Sequence, residues 1–515
     1  MAGMNSKAAL SAAVPVAVIG AGTMGVGIAM VAATAGHPVL LYDAAAGQAE
    51  AGLARLRAEQ DKLVARGRLE PAEASARLAR IAPAATLEQL APAGLVTEAI
   101  VENLGIKTEL FRALEDILSP DTILATNTSS LSVTALAAHL RRPGRVAGMH
   151  FFNPATVLPL VEVVSGHLTE PAIADAVFAT AAAWGKVPVR CGSTPGFIVN
   201  RVARPFYGEA LRLLAEQATT PAALDAVMRE SGGFRMGPCE LTDLIGQDVN
   251  LAVSRSVFDA FAQDPRYRPS LVQQALVDAR LLGRKSGRGF FDYSMPEGAR
   301  PAVAEAPPGP RPRSLLSEGL DGPAAALVGL SLQAGLDITE RPEGRSVLRV
   351  DGVTLALTDG RTATARMAAA GEPVVLFDLA LDYGQATRVA LTPAEGAGAE
   401  ALAVAAGFFQ ALGKAVTVID DTPGMAVMRT VTMLANEAAD AVLQGVATAE
   451  DVDLSMIKGV NYPLGPLAWA EAIGPVRIVA VMDNLADAYR EDRYRCSPWL
   501  RRRAVSGRPL LEAVA

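Results

Sequence analysis

The chain alternates between two kinds of apolar pattern. Val14–Gly20 (VPVAVIG) is a continuous β-branched run, the pattern of a strand buried on both faces. Glycines 20, 22 and 25 follow, then the spacing predicts a helix over Thr23–Ala35 and a second strand over Pro38–Asp43 (PVLLYD). The Ala- and Arg-rich stretch Glu50–Arg80 reads as helical. Further short strands are predicted at Gly94–Ala99, Thr122–Thr126, Arg145–Phe151 and Leu160–Val164, and Lys107–Leu118 has helical periodicity. Strands alternating with helices argue for a doubly wound parallel sheet over residues 1–193.

From Thr194 to about Leu282 the periodicity is helical throughout, and a glycine–aromatic tail (SGRGFFDY) closes this segment at Tyr293. Six prolines between Pro296 and Pro312 exclude a helix or central strand, so 294–314 reads as a linker. The remainder contains a repeat. An offset of 228, without insertion, carries Gly185-Lys186 onto Gly413-Lys414 and Thr194-Pro195-Gly196 onto Thr422-Pro423-Gly424. It also carries Arg201 onto Arg429, Glu209-Ala210 onto Glu437-Ala438, Asp225 onto Asp453, and Gly237-Pro238 onto Gly465-Pro466. The helical domain of 194–293 is therefore expected again at 422–515. Between them, 315–421 has strand-like runs (VTLALTD, EPVVLFDLAL) but no Gly-x-Gly-x-x-Gly, as a remnant of the first domain would.

The 515 residues carry a formal charge of −7, with half the positions apolar and 20% charged. There is no basic excess for a nucleic-acid partner and too much apolar content for bulk disorder. Ser11–Tyr42 lacks charge, but Gly20, Gly22, Gly25 and Gly27 in its middle and the prolines at its edges divide it into strand, turn, helix and strand rather than a membrane span. The three cysteines (191, 239, 496) have no metal-ligand spacing, which speaks against a metal site and for a reducing, cytoplasmic setting. The four histidines (37, 139, 150, 167) all lie in the first third, so histidine chemistry belongs there. His37 in a turn and His139 in AAHLRRPGR read as solvated, and His167 as a loop residue.

Gly20-Ala21-Gly22-Thr23-Met24-Gly25 matches the dinucleotide fingerprint between its strand and helix. Gly20 serves the tight turn, Gly22 the approach of the pyrophosphate and Gly25 close helix–strand packing. Asp43 ends the next strand, 18 residues beyond Gly25, with no arginine after it. A carboxylate there accepts from ribose hydroxyls and repels a 2′-phosphate, favouring NAD. The expected fold is thus an α/β Rossmann-type NAD-binding domain, an all-helical domain, a degenerate Rossmann-like segment and a second helical copy.

Several segments resemble the 3-hydroxyacyl-CoA dehydrogenase family of fatty-acid and aromatic-acid degradation. They are VIGAGTMGVGIA, TEAIVENLGIKTELF, ATNTSSLS, GMHFFNP, LVEVV, STPGFIVNR and MGPCELTDLIG, between Val14 and Tyr293. The resemblance implies a catalytic histidine at His150 and its carboxylate partner at Glu162. It implies polar groups around the reacting oxygen at Ser129 and Asn200. Glu102 and Lys107 fall where the family meets the nicotinamide half of the cofactor, Asn127 is a further cofactor-binding position, and Thr23 and Met24 lie in the cofactor turn. Lys62, Arg66 and Arg68 fall where it places basic residues near coenzyme A; a solvated helix face is the alternative. Ser193 replaces the family's usual aspartate before TPGF, a change at a cap.

The residue types suit the reaction independently. Oxidising a secondary alcohol needs a base that titrates near neutrality. A carboxylate inside the apolar run Val161-Glu162-Val163-Val164 is justified by a cationic partner. At the repeat offset Glu162 meets Ala390 and Asn200 meets Met428, so the second copy cannot run this chemistry. The second helical copy is expected to pack on the first, in the place of a partner subunit; homo-oligomers remain open. Chains of this length with a duplicated helical region resemble the bacterial phenylacetate-pathway type acting on 3-hydroxyadipyl-CoA. The alternatives are a 3-hydroxybutyryl-CoA enzyme, a dehydrogenase of small 3-hydroxy acids, and an idle NAD- or CoA-binding structural protein.

Overall fold

In the computed structural model, which describes residues 8–294 and 302–511, the first apolar run becomes β1 (Val16–Ile19), buried at every position. It pairs in parallel with β2 (Val39–Tyr42) on one side, and β3 (Ile81–Ala84) continues that edge. On its other side stand β4 (Leu95–Glu98), β5 (Ile123–Thr126), β6 (Val146–Phe151), β7 (Leu160–Ser165) and β8 (Val187–Gly192). The order β3-β2-β1-β4-β5-β6-β7-β8 reverses direction at β1. That reversal is where open α/β sheets bind ligands beyond their strand ends. β6 and β7 are antiparallel, in a register that sets His150 opposite Glu162. The charged stretch after β2 forms two helices, Gln48–Ala65 and Pro71–Ala79, separated at Gly67, which has φ +64°.

The second half repeats part of this design. Its seven-stranded sheet runs β10-β9-β11-β12-β13-β14-β15, with β9 at Leu315–Glu318, β10 at Ile338–Arg341, β11 at Val347–Val350 and β12 at Val353–Leu357. The last three strands are β13 (Val374–Phe377), β14 (Arg388–Pro393) and β15 (Ala415–Val418). The offset of 228 superimposes β6, β7 and β8 on these three, with the same antiparallel and then parallel pairing. Beyond them β11 runs antiparallel to both β9 and β12, and among the described residues no Gly-x-Gly-x-x-Gly turn follows a strand of this sheet.

Two compact units result: residues 1–201 with 445–460, and residues 202–444 with 461–515. This division cuts across the repeat. The Ala449–Val460 helix of the second helical copy belongs to the first unit, where it packs on β7 and β8. Its equivalent in the first copy, Pro221–Glu230, belongs to the second unit and packs on β14. There Ser231 Oγ donates to the Arg388 carbonyl and Glu230 pairs with the Arg388 guanidinium at 3.1 Å. Each copy therefore lends one helix to the sheet of the other.

Of the expected linker 294–314, residues 295–301 lie outside the described part. Residues 302–314 form neither helix nor strand, yet they are held: Gly309 N donates to Gln410 Oε1, Gln410 Nε2 donates to the Ala306 and Pro307 carbonyls, and Arg388 pairs with Glu305. His37 departs from expectation. It is buried, its Nδ1 lies 2.9 Å from the Val14 carbonyl, and its ring meets Trp184 edge-on. The turn at Ala35-Gly36 folds it beneath the entry to β1, where a backbone acceptor satisfies the ring. His139 and His167 are exposed.

Candidate active site

The glycine turn has the form its sequence requires. Gly20 has φ +102°, and a β-carbon there would stand 2.6 Å from the Ala99 carbonyl oxygen. A β-carbon on Gly25 would stand 1.6 Å from the Gly20 carbonyl oxygen, so the helix can begin there only with glycine. Gly22 faces open space as the N-cap of the Thr23–Thr34 helix, which has no side-chain cap, and Thr23 is exposed beside it with Met24 half-buried. Uncapped N–H groups at a helix start suit an anion. Asp43, at the end of β2, accepts from Ala21 N at 2.7 Å and from Ala45 N at 2.9 Å, tying the strand end to the turn. An open turn with uncapped N–H groups beside a carboxylate is chemistry that suits a pyrophosphate and a ribose.

Beyond β4 lies a buried charge cluster. Lys107 Nζ sits 2.6 Å from Glu98 Oε1 and 3.2 Å from Glu102 Oε2. Glu98 also accepts from Thr126 Oγ1 and from Ile100 N. A buried lysine is tolerable only with such pairing. Glu102 in turn gathers the loop after β5: it accepts from Thr128 Oγ1, Ser129 N, Ser130 N and Ser130 Oγ. Burial works to raise its carboxyl, but the Thr128 hydroxyl, Lys107 and Ser130 outweigh it and hold the group below the usual range. The sequence pattern does not single out Glu98, Thr128 or Ser130. The one signal for Glu98 is an acidic residue closing the apolar strand Leu95–Glu98.

Asn127, at the head of the same loop, accepts from Phe151 N at 2.8 Å and so joins the end of β5 to that of β6. The neighbouring residue is His150. Its Nδ1 lies 2.7 Å from Glu162 Oε2, and both side chains are buried. The other oxygen, Glu162 Oε1, accepts from Ile198 N at 3.0 Å and Val199 N at 2.9 Å. An ionised carboxylate can only accept, so the imidazole carries its proton on Nδ1 and its lone pair on Nε2. Phe152 and Phe197 flank the ring at 4.5 and 5.8 Å between centroids. Asn200 follows Val199 directly in the short Val199–Val202 helix and is half-buried, as is Ser129. Ser193 is a cap: its hydroxyl accepts from Val133 N at the start of the Val133–Ala137 helix.

Ser129, Asn200, His150 and Glu162 thus stand around adjoining strand ends and the helix start that Glu162 caps. Lys62, Arg66 and Arg68 stand apart. They are exposed at the C-terminal end of the Gln48–Ala65 helix, and their side chains make no hydrogen bond or ion pair among the described residues.

The second sheet shows what became of the same position. Asp378 lies 228 residues after His150, and its N donates to Ala390, the counterpart of Glu162. Its side chain accepts from Ala426 N, Val427 N and Met428 N, the first two being the counterparts of the Ile198 and Val199 donors. One buried aspartate has replaced the pair and kept only the task of capping the helix.

A nucleotide-binding turn at the reversal of strand order, with a carboxylate-paired imidazole on a neighbouring part of the sheet, is the arrangement of an NAD-dependent dehydrogenase. The model of the 3-hydroxyacyl-CoA dehydrogenase NAD binding domain matches residues 15–194, and that of the C-terminal domain matches twice, at 196–293 and 424–511. A third, the 3-hydroxybutyryl-CoA dehydrogenase reduced Rossmann-fold domain, matches 355–423. The chain belongs to the 3-hydroxyacyl-CoA dehydrogenase family. It is 45% identical over 490 residues to the 3-hydroxyadipyl-CoA dehydrogenase of Escherichia coli (strain K12), covering 95% of this chain and 97% of that protein. A probable 3-hydroxybutyryl-CoA dehydrogenase of Bacillus subtilis (strain 168) is 44% identical over 276 residues, 54% of this chain and 96% of its own length. The crystal structure of a 3-hydroxybutyryl-CoA dehydrogenase from Escherichia coli K12 superimposes with a TM-score of 0.88 at 44% identity, covering 97% of this chain and all of that one. Among the described residues, no helix is long and apolar enough to cross a membrane.

Proposed function

We propose that the enzyme oxidises the 3-hydroxyl of a (3S)-3-hydroxyacyl-CoA, with 3-hydroxyadipyl-CoA as its preferred substrate. The observation that carries the reaction is the buried His150–Glu162 pair. His150 Nε2 takes the hydroxyl proton as the alcohol becomes a ketone, and Glu162 stabilises the resulting imidazolium through Nδ1. Two backbone donors on Glu162 Oε1 keep the carboxylate from rotating away from the ring. Ser129 and Asn200 orient the reacting oxygen and the thioester carbonyl. Bound NAD supplies the hydride acceptor. Gly20, Gly22, Thr23, Met24 and Gly25 would hold its pyrophosphate and Asp43 its ribose. Glu102, Lys107 and Asn127 would shape the nicotinamide end, and Lys62, Arg66 and Arg68 would face the phosphates of coenzyme A.

Similarity over nearly the whole length to a 3-hydroxyadipyl-CoA dehydrogenase supports the adipyl preference. The 3-hydroxybutyryl reading draws on an equally extensive structural match to a 3-hydroxybutyryl-CoA dehydrogenase. NAD reduction with the two thioesters separates them: kcat/KM should be higher for 3-hydroxyadipyl-CoA, and a higher value for 3-hydroxybutyryl-CoA would remove the adipyl assignment. Free 3-hydroxy acids should be poor substrates, and an idle binding protein would turn over none of these.

The second helical copy, on this reading, stands where a partner subunit would. Support comes from the reciprocal lending of helices and from paired contacts inside the second unit. Arg266 and Tyr267 of the first copy reach Glu437 of the second, while Arg493 and Tyr494 of the second reach Glu209 of the first. The three free cysteines accord with a cytoplasmic enzyme.

A further inference from the structure

The two-fold exchange inside the second unit is broken at one place. Arg266-Tyr267-Arg268 recurs as Arg493-Tyr494-Arg495, and each set reaches the glutamate of the other copy. On one side the arrangement is paired except at Arg266 Nε. Arg266 is bonded to Glu437 and Asp440 and donates to the Arg495 carbonyl, and Arg495 pairs with Asp264 at 2.6 Å. On the other side Arg212 stands where Asp440 would be, 228 residues earlier. A guanidinium thus replaces a carboxylate, and the pairing around it fails.

Arg493, the counterpart of Arg266, is 6% exposed and makes no hydrogen bond among the described residues. Its two ion pairs, to Glu209 at 3.6 Å and Glu491 at 3.9 Å, are long. Burial, opposed by Glu209 and reinforced by Arg212, lowers its affinity for its proton. Glu491, the counterpart of Asp264, is taken by Arg212 at 3.0 Å. Arg268, the counterpart of Arg495, is left exposed with no ion pair among the described residues. These three arginines line one cavity of about 320 Å³, with Ser254, Ser270 and an apolar lip at Leu271. A buried guanidinium without hydrogen bonds, beside two more cations, calls for a ligand that supplies acceptors and negative charge.

We propose that this cavity binds a phosphate-type dianion, as free phosphate or as the phosphate group of a small ester. Planar guanidiniums match phosphate oxygens bidentately, and five arginines line the pocket, with Arg204 and Arg266 beside these three, against the single carboxylate of Glu216, an excess that favours two charges over one. The pocket lies wholly within the second unit and shares no residue with the cofactor turn or the His150 pair.

The test is thermal unfolding of the full chain, holding saturating NADH so that the cofactor turn is filled, at constant ionic strength set with sodium chloride. Inorganic phosphate and glycerol 3-phosphate are titrated in separate arms. A saturable rise in midpoint with either is expected; tighter binding of the ester would assign the lip to an organic group, and equal binding would assign the site to the free ion. Arg268→Ala, an exposed change, should weaken the response about tenfold. Arg212→Asp, which restores the carboxylate found on the other side, should abolish it and leave turnover unchanged. No saturable rise with either anion, or a rise undiminished in both variants, overturns the proposal.

Discussion

At the residue scale, His150, the proposed base, and Asp378 show how few changes would separate a working position from a structural one. His150 lies near the end of β6 and Asp378 directly follows β13, and the helix start that Glu162 caps in the first copy is capped by Asp378 in the second. The first copy has an acceptor paired with an imidazole, whereas the second keeps the acceptor alone. Burial outweighs the backbone donors and pushes the Asp378 carboxyl from 3.8 up to about 6. A carboxyl raised on folding binds its proton more tightly in the folded state. Its stabilising contribution is therefore complete below pH 3.8 and lost as pH rises through about 6. The amount is on the order of 3 kcal/mol. In urea titrations across pH 4–7, wild type should lose stability relative to Asp378→Asn as pH rises; a gap constant with pH would contradict the account. The helical copies and the lack of any histidine after His167 were legible in the sequence. That Asp378 had inherited the cap was not, because the offset pairs it with His150 while the cap belongs to Glu162 on the next strand, and only the register of β13 on β14 sets Asp378 beside Ala390, the counterpart of Glu162.

At the element scale, Val14–Asp43 could be read directly, since strand, glycine turn, helix and strand each carry their own periodicity. The exchanged helices could not. Pro221–Glu230 and Ala449–Val460 have the same amphipathic pattern whichever sheet they cover, so only the assembled chain decides. The consequence for the site is concrete. A β-carbon on Gly459 would stand 2.6 Å from Leu160 Cδ2 and 3.2 Å from Val199 Cγ2. Leu160 precedes Glu162 by two residues, and Val199 N donates to it. Gly459→Val should therefore displace the carboxylate from His150 by overpacking worth about 1–3 kcal/mol. The expected result is about a tenfold fall in kcat, with a shifted kcat/KM pH profile and unchanged NADH affinity. An unaltered kcat and profile in a folded variant would show that this helix does not set the site.

At the scale of the whole molecule, the proposed division is that one copy retains the chemistry and the other serves as its support. The cluster of Glu98, Lys107 and Glu102 was legible only in part, because Glu98 is recruited across β4 and β5 by contacts distant in sequence. A chain ending at Tyr293 would lose the Ala449–Val460 helix over β7 and β8 and would leave Arg266 without Glu437 and Asp440. It should be poorly soluble or inactive, as expression and activity assay would show; a soluble, active monomer would refute a supporting role for the second half. The central claim is that all turnover passes through a single imidazole in the first copy. Its most direct test is His150→Gln in the full-length chain, with NADH affinity and acetoacetyl-CoA reduction measured on the same preparation. The account predicts NADH binding close to wild type and turnover lower by about 10²–10⁴-fold. Turnover near that of wild type in the variant would contradict it.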